Sequence, residues 1–387
     1  MCHIILSFKI YHMRNLLYIF IVVLLTGCVE PYTPSGVKEI SGQLVIEGSI
    51  SDNESVFILR TSVKLSEMLT GNETVDDAFV YVEKETGEQL QGVFTGNGTY
   101  TVATGDLNAG MKYRLYVEAG GEEYSSEFLY PLFTPRIDSI TPMKKGVGEP
   151  VYICVNTHDP DDNSRYYMWS FKEIWEVKAD LFANYGYLDS DFPQFFTSST
   201  SENTYYCWGR DNSKKMILGL SENLSENVIS HMKLNEIPCK SDKLSILYYI
   251  TVKQNQIRKE AFDYYSNIQK NVEQTGSIFA QIPSEMRGNI LCVTNPALHV
   301  IGYIDVSTTK EKEIFFPENL GLYEAPTTSC FREITDDPEF AYPVYGYFEI
   351  SFSLPIPPLY APQKCVDCRL KEKSSKNRPD FWPNNHY

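Results

Sequence analysis

Apolar and polar residues alternate in short bursts along the first third of this chain. Leu44, Ile46 and Gly48 alternate with Val45 and Glu47, and after the turn-like Ser51-Asp52-Asn53 comes Val56-Phe57-Ile58-Leu59. Three further bursts follow at Ala78-Phe79-Val80-Tyr81-Val82, Gly98-Thr99-Tyr100-Thr101-Val102 and Tyr113-Arg114-Leu115-Tyr116-Val117-Glu118. A period of two sends successive side chains to opposite faces, so each burst reads as a strand with one face in a core. Strands this short, punctuated by Gly, Asn and Asp at regular intervals, predict an Ig-like β-sandwich over 38–133.

Pro131-Leu132-Phe133-Thr134-Pro135 breaks the pattern, and the strands beyond it are longer, at Val151–Val155 and Tyr166–Val177. The stretch from 183 to 206 has no periodicity and is rich in Tyr and Phe. Ser221-Glu222, leading to Leu224, Val228 and Ile229, predicts a helix start. A strand follows at Ile246–Val252. Phe262, Tyr265, Ile268 and Val272 then recur at steps of three and four, with Gly276 placed as a stop, which predicts a helix over 258–274. Strand patterns return at Gly288–Leu291, Val300–Val306 and Tyr345–Phe352. The expectation is a mainly β protein: the sandwich, then a larger β-rich α+β domain over 134–387 with one or two helices.

The amino terminus has a different pattern. Arg14 precedes an unbroken apolar run from Leu16 to Leu24, and Leu25-Thr26-Gly27-Cys28 closes it. A basic residue, a short apolar stretch and small residues before a cysteine form the layout of an export signal that ends in a lipidation site. The expectation is a lipoprotein signal peptide over 1–27, palmitate-type acyl chains on Cys28, and a Pro- and Gly-bearing tether over 28–37. Met13, just before Arg14, is the expected start. The run is too short to span a bilayer and no second long one follows, so the expected membrane contact is the lipid.

Charge narrows the partners. The chain holds 34 Lys and Arg against 50 Asp and Glu, a net charge of −16. Such a polyanion is repelled by nucleic acid and by anionic lipid surfaces, so no nucleic-acid partner is expected. Beyond Cys28 the cysteines are Cys154, Cys207, Cys239, Cys292, Cys330, Cys365 and Cys368. An exported chain with these cysteines has material for three disulfides with one thiol left over, and Cys207, Cys239, Cys292, Cys330, Cys365 and Cys368 are the candidates. Sequence does not give the pairing. Cys365-x-x-Cys368 reads as structural, since zinc would want a second ligand pair and none is spaced for it.

No catalytic motif stands out, and no metal or cofactor is expected. The nucleotide-cradling loop, the nucleophile elbow and the zinc-binding His-Glu-x-x-His helix are all missing from the sequence. The histidines His158, His231, His299 and His386 have no carboxylate or cysteine at ligand spacing. Asp159-Pro160-Asp161-Asp162-Asn163 reads as a turn, because Ser164 and Ser170 stand where a calcium loop needs Gly and Glu. Tyr185, Tyr187, Phe192, Phe195 and Phe196 are the candidate ligand or partner contacts, as aromatic rings in a long irregular stretch. They serve equally well as a cover for the core.

Asp77–Val82, Gly96–Tyr100 and Gly110–Leu115 together resemble a prealbumin-like or carboxypeptidase-regulatory-like sandwich. The most specific stretch runs from 250 to 306. It contains Thr251-Val252-Lys253-Gln254, Glu260-Ala261-Phe262, Tyr264-Tyr265, Glu273 to Phe279, Pro283-Ser284, Gly288-Asn289-Ile290 and Val300-Ile301-Gly302-Tyr303. Together with Cys207-Trp208, Cys365-Val366-Asp367-Cys368 and Pro379-Asp380-Phe381-Trp382, it resembles the domain-of-unknown-function 4249 family of Bacteroidetes outer-membrane lipoproteins. The tail departs from the family, which usually carries Gly-Gly before its Pro-Asp-Phe-Trp.

The resemblance implies a non-enzymatic accessory of a TonB-dependent transporter in nutrient uptake, with an unknown ligand. It also implies an outer-membrane location, lipid-anchored at the cell surface or on the periplasmic face. It brings no catalytic residues. A surface hydrolase using an Asp/Glu pair, and an adhesion or envelope-structural lipoprotein, are the alternative readings.

Overall fold

A computed structural model describes residues 42–62, 73–161, 163–182, 185–186, 194–195, 204–221, 227–274, 287–326, 330, 345–347, 359–361 and 363–383. Cys28, the signal and the tether lie outside the described residues. The protein is mainly β, as its alternation requires.

The first seven strands are β1 (Leu44–Gly48), β2 (Asn53–Thr61), β3 (Phe79–Lys84), β4 (Gln89–Gly96), β5 (Thr99–Gly105), β6 (Tyr113–Ala119) and β7 (Glu122–Ser126). They pair antiparallel in the order β1-β2-β5-β4-β3-β6-β7, in a sheet that curls over one core. Phe57, Leu59, Val82, Val102, Leu115 and Val117 fill that core and are fully buried. Each contributes about 1.5–3 kcal/mol by leaving water.

An eighth strand comes from far along the chain. Ile290–Cys292 pairs antiparallel with β7. Residues beyond it then cross to the opposite edge, where Ile301 and Val306 make parallel bridges to Val45 and Ile50. Ile290, Cys292, Val300, Ile304 and Val306 belong to the first core. The expected division at residue 133 therefore does not describe 288–307, which completes the first sandwich from within the region assigned to the second domain. Open strand edges are costly, and this returning segment lines both of them. The strand expected over 300–306 is extended backbone held by isolated bridges.

The second core lies between two sheets. One is three-stranded, built from β8 (Ile137–Lys144), β9 (Val151–His158) and Val228–Ile237. The other centres on β10 (Tyr166–Lys178), whose neighbours are β13 (Tyr206–Asn212), β14 (Ile217–Leu220) and β16 (Leu247–Ile257). Here β11 is Tyr185–Gly186, β12 is Gln194–Phe195 and β15 is Val228–Ile237. The returning strand Ile290–Cys292 is β17, and β18 (Thr309–Pro317) borders β16. Tyr167, Trp169, Phe171, Trp175 and Val177 alternate along β10, and all point into this core.

Two glycines make room for the indoles. A Cβ on Gly209 would strike the ring of Trp175, and one on Gly219 the ring of Trp169. Each flat ring thus lies on bare backbone of an adjacent strand, as when an aromatic covers a strand glycine.

The outer face of β10 is covered at both ends. Helix α1 (Lys259–Gln274) packs Ala261 and Tyr264 with Tyr303 at one end, within one residue of the expected start. Trp208, Leu247, Tyr249 and Trp382 cluster at the other. The helix expected near Ser221 does not include Val228 and Ile229, which open β15. β-Branched side chains favour the strand, and pairing with β9 secures it. Among the described residues, no helix is long and apolar enough to cross a membrane.

Candidate functional site

The returning segment is held where two glycines touch. A Cβ on Gly288 would overlap the carbonyl of Gly302, and one on Gly302 the carbonyl of Ile46. Gly302 also has φ +151, a conformation other residues rarely adopt. Asn289 completes the clasp: its Nδ2 donates to the Ile304 carbonyl and its Oδ1 accepts from the Ile304 amide, both at 2.8 Å. This is why Gly288-Asn289 and Gly302-Tyr303 stand out in the sequence.

The clasp meets the second core through Arg258 and Asp305. The Arg258 amide donates to Asp305 Oδ2 at 2.8 Å, its guanidinium pairs with Oδ1, and the same guanidinium donates to the Tyr130 carbonyl. Asp305 is 4% exposed, and its Oδ1 also accepts the Val306 amide at 2.8 Å. Burial pushes the Asp305 carboxyl above its ordinary range, while the nearby guanidinium pulls it back. One arginine thus joins the chain between the cores, the start of α1 and the returning segment.

The carboxyl-terminal residues form a strap across β13. Cys368 is bonded to Cys207, and Cys365 to Cys330. The two-residue strand Ser374–Ser375 pairs with β13. Lys371 reaches Asp180 at 3.0 Å and Asp242 at 2.9 Å. The indole Nε1 of Trp382 donates to Glu176 Oε2 at 2.9 Å.

The cysteine expectations need correction. Cys239 and Cys292 are free, as is Cys154, so two disulfides form among the described residues. Cys292 points into the first core, and Cys154 is buried on the face of β9 opposite that of Ile153 and Val155, each without a cysteine partner. Cys365 and Cys368 pair with two different distant cysteines, which sequence spacing could not reveal. Asp180, Cys330 and Cys365 offer atoms close enough for a metal, but both sulfurs are spent in a disulfide.

Of the aromatic candidates, Tyr185 and Phe195 are among the described residues. Tyr187, Phe192 and Phe196 lie outside the described residues. Tyr185 is opposite Phe195 in the two-stranded ladder of β11 and β12.

The acidic groups show how buried charge is answered. Glu173 accepts from Tyr248 at 2.6 Å and from Asn235 at 2.8 Å, and pairs with Lys243. Burial and that carboxylate push the Tyr248 hydroxyl well above its ordinary pKa. Asp367 takes the Arg369 side chain, at 2.6 Å from Nη2. Glu173, Glu176, Asp305 and Asp367 therefore each face a cation, an indole or an amide, as buried charge demands. Asp159 accepts the amides of Asp161, Asn163 and Ser164, the pattern of a turn. Sequence spacing missed one pair: β8 brings Asp138 Oδ2 to His158 Nδ1 at 2.7 Å.

A family model described as "Domain of unknown function (DUF4249)" matches residues 29–313. It covers the returning segment and ends before the strap. No curated protein matches the chain. Among solved structures, one similar chain is described as "Complete structure of manganese lipoxygenase of Gaeumannomyces graminis and partial structure of zonadhesin of Komagataella pastoris". The identity is 9% and the TM-score 0.17, over 56% of this chain and 89% of that one. A likeness at that score carries no argument.

Proposed function

We propose that this chain, which belongs to the domain-of-unknown-function 4249 family, is an outer-membrane lipoprotein of the Bacteroidetes type, anchored through Cys28. It acts as a non-enzymatic accessory of a TonB-dependent transporter in nutrient uptake. The observation that carries the reading is Leu25-Thr26-Gly27-Cys28 at the end of an apolar run, one residue before the family match begins. The acyl chains hold the protein at the membrane, and the residues between Cys28 and β1 give it reach.

The folded body supports this reading through its rigidity. The clasp joins the two cores, and the strap with its two disulfides braces the second, as suits a protein that presents fixed surfaces outside the cytoplasm. The test is to label the full chain with a fatty acid in cells, then purify it from outer membranes in mild detergent. Label on the wild type, none on Cys28→Ala, and co-recovery of a barrel transporter are expected. An unlabelled wild type would remove the anchor, and recovery without any transporter would remove the accessory role.

A further inference from the structure

We propose that the outer face of β3, β6, β7 and β17 docks a partner protein, and that the partner contributes a basic side chain flanked by apolar ones. This rests on the accessory reading and locates its contact surface.

The registers define the face. Tyr81, Tyr116, Ser125 and Leu291 stand in one row across the four strands. In the adjacent row Phe79 is opposite Glu118, and Glu118 opposite Glu123. Val293 continues that row, its amide donating to the Glu123 carbonyl at 2.7 Å. The solvent side of an antiparallel sheet is normally polar. Here Phe79, Leu291 and Val293 are 44%, 68% and 52% exposed, while Tyr81 and Tyr116 stack beneath with centroids 4.7 Å apart. Apolar residues therefore flank a pair of carboxylates.

That pair points to the occupant. Like charges directly opposite across strands disfavour the pairing, so a cation seated between Glu118 and Glu123 is favoured there. Arg114 sits on this face but is committed to Glu83 at 2.6 Å and lies over Phe128. An anionic lipid surface is repelled by these carboxylates and by the net charge of −16. A sugar would want exposed flat rings, whereas the most exposed groups here are the branched aliphatic Leu291 and Val293. A protein surface with an Arg or Lys among apolar side chains satisfies both halves of the patch.

Among the described residues β17 is the last strand of its sheet, and its three residues carry no Lys or Pro.

The experiment uses the full-length lipidated chain, purified with its partner from native outer membranes, with a photocrosslinker placed at position 291. Leu291→Lys and the double variant Glu118→Lys/Glu123→Lys are compared with the wild type after their thermal unfolding is shown to match it. The exposed Leu291 site keeps the test valid should the double variant fail to fold. At least tenfold less partner is expected with each variant, and the crosslinked partner peptide should contain Lys or Arg. Recovery of the partner at wild-type level by both variants overturns the docking face and leaves the accessory reading standing. A crosslink confined to lipid, or to a peptide without basic residues, also overturns it. No partner with the wild type removes both.

Discussion

The Trp382 indole donates to the Glu176 carboxylate across 206 residues of chain, at 2.9 Å. Glu176 is fully buried and Trp382 is 1% exposed, so a charge inside the fold is answered from the end of the described strap. Tyr249 and Phe315 pack around the same indole.

Trp382→Ala is expected to cost about 3–5 kcal/mol, the usual penalty for emptying a buried aromatic site. Trp382→Phe keeps most of the packing but leaves Glu176 without its indole donor, and is expected to cost about 1–3 kcal/mol. Urea unfolding of the two variants separates these contributions. A Trp382→Phe variant as stable as the wild type would mean that the hydrogen bond contributes nothing beyond packing.

Gly302→Ala is expected to unclasp the returning segment, because the new Cβ meets the Ile46 carbonyl in a conformation suited to glycine. A loss of roughly 3 kcal/mol or more follows from strain and broken backbone pairing together. Hydrogen exchange at Ile46 and Ile50, whose amides bond to Ile301 and Asp305, should quicken most. Unchanged protection there would show that the segment tolerates the side chain.

Peptide mapping without reduction is expected to recover Cys207 joined to Cys368 and Cys330 joined to Cys365. Cys239 should react with an alkylating reagent in the native protein, and Cys154 and Cys292 only after unfolding, since both are buried. Opening Cys207–Cys368 frees a loop with a separation of 161 residues. Loss of that closure costs about 5 kcal/mol in the chain-entropy account. A Cys365–Cys368 bond in the oxidised protein would contradict the strap.

Acid is expected to release the segment around Glu324. Lys144 at 2.6 Å and the Gly148 amide hold the Glu324 carboxyl at a pKa of about 2, below its ordinary 4.5. A carboxyl depressed by folding contributes stability that is complete above its unfolded pKa and is lost as pH falls through the folded one. The contribution should therefore fade between about 4.5 and about 2. The difference in acid unfolding between wild type and Glu324→Gln measures it, and a difference that persisted below pH 2 would refute the assignment.

The strands of the first sandwich and the helix α1 were readable from periodicity, because each buries one face and the pattern records which. Gly288, Asn289 and Gly302 stand in the stretch that carries the family resemblance, but their purpose is not legible there. Period alone also misread Val228 and Ile229, where β-branching and a partner strand outweighed the spacing. Cys239 and Cys292 looked equivalent to the bonded cysteines because a sequence lists thiols without distances.

Local pattern and composition were enough for the β class, the acidic balance, the helix after β16 and the lipidation pattern expected at Cys28. These depend on residues close together in the chain or on totals over it. Tertiary structure alone decided that 288–307 completes the first core, which cysteines bond, and that Trp382 answers Glu176. Those outcomes depend on which distant backbones can approach within a few ångströms, and that is set by how two packed cores fill space.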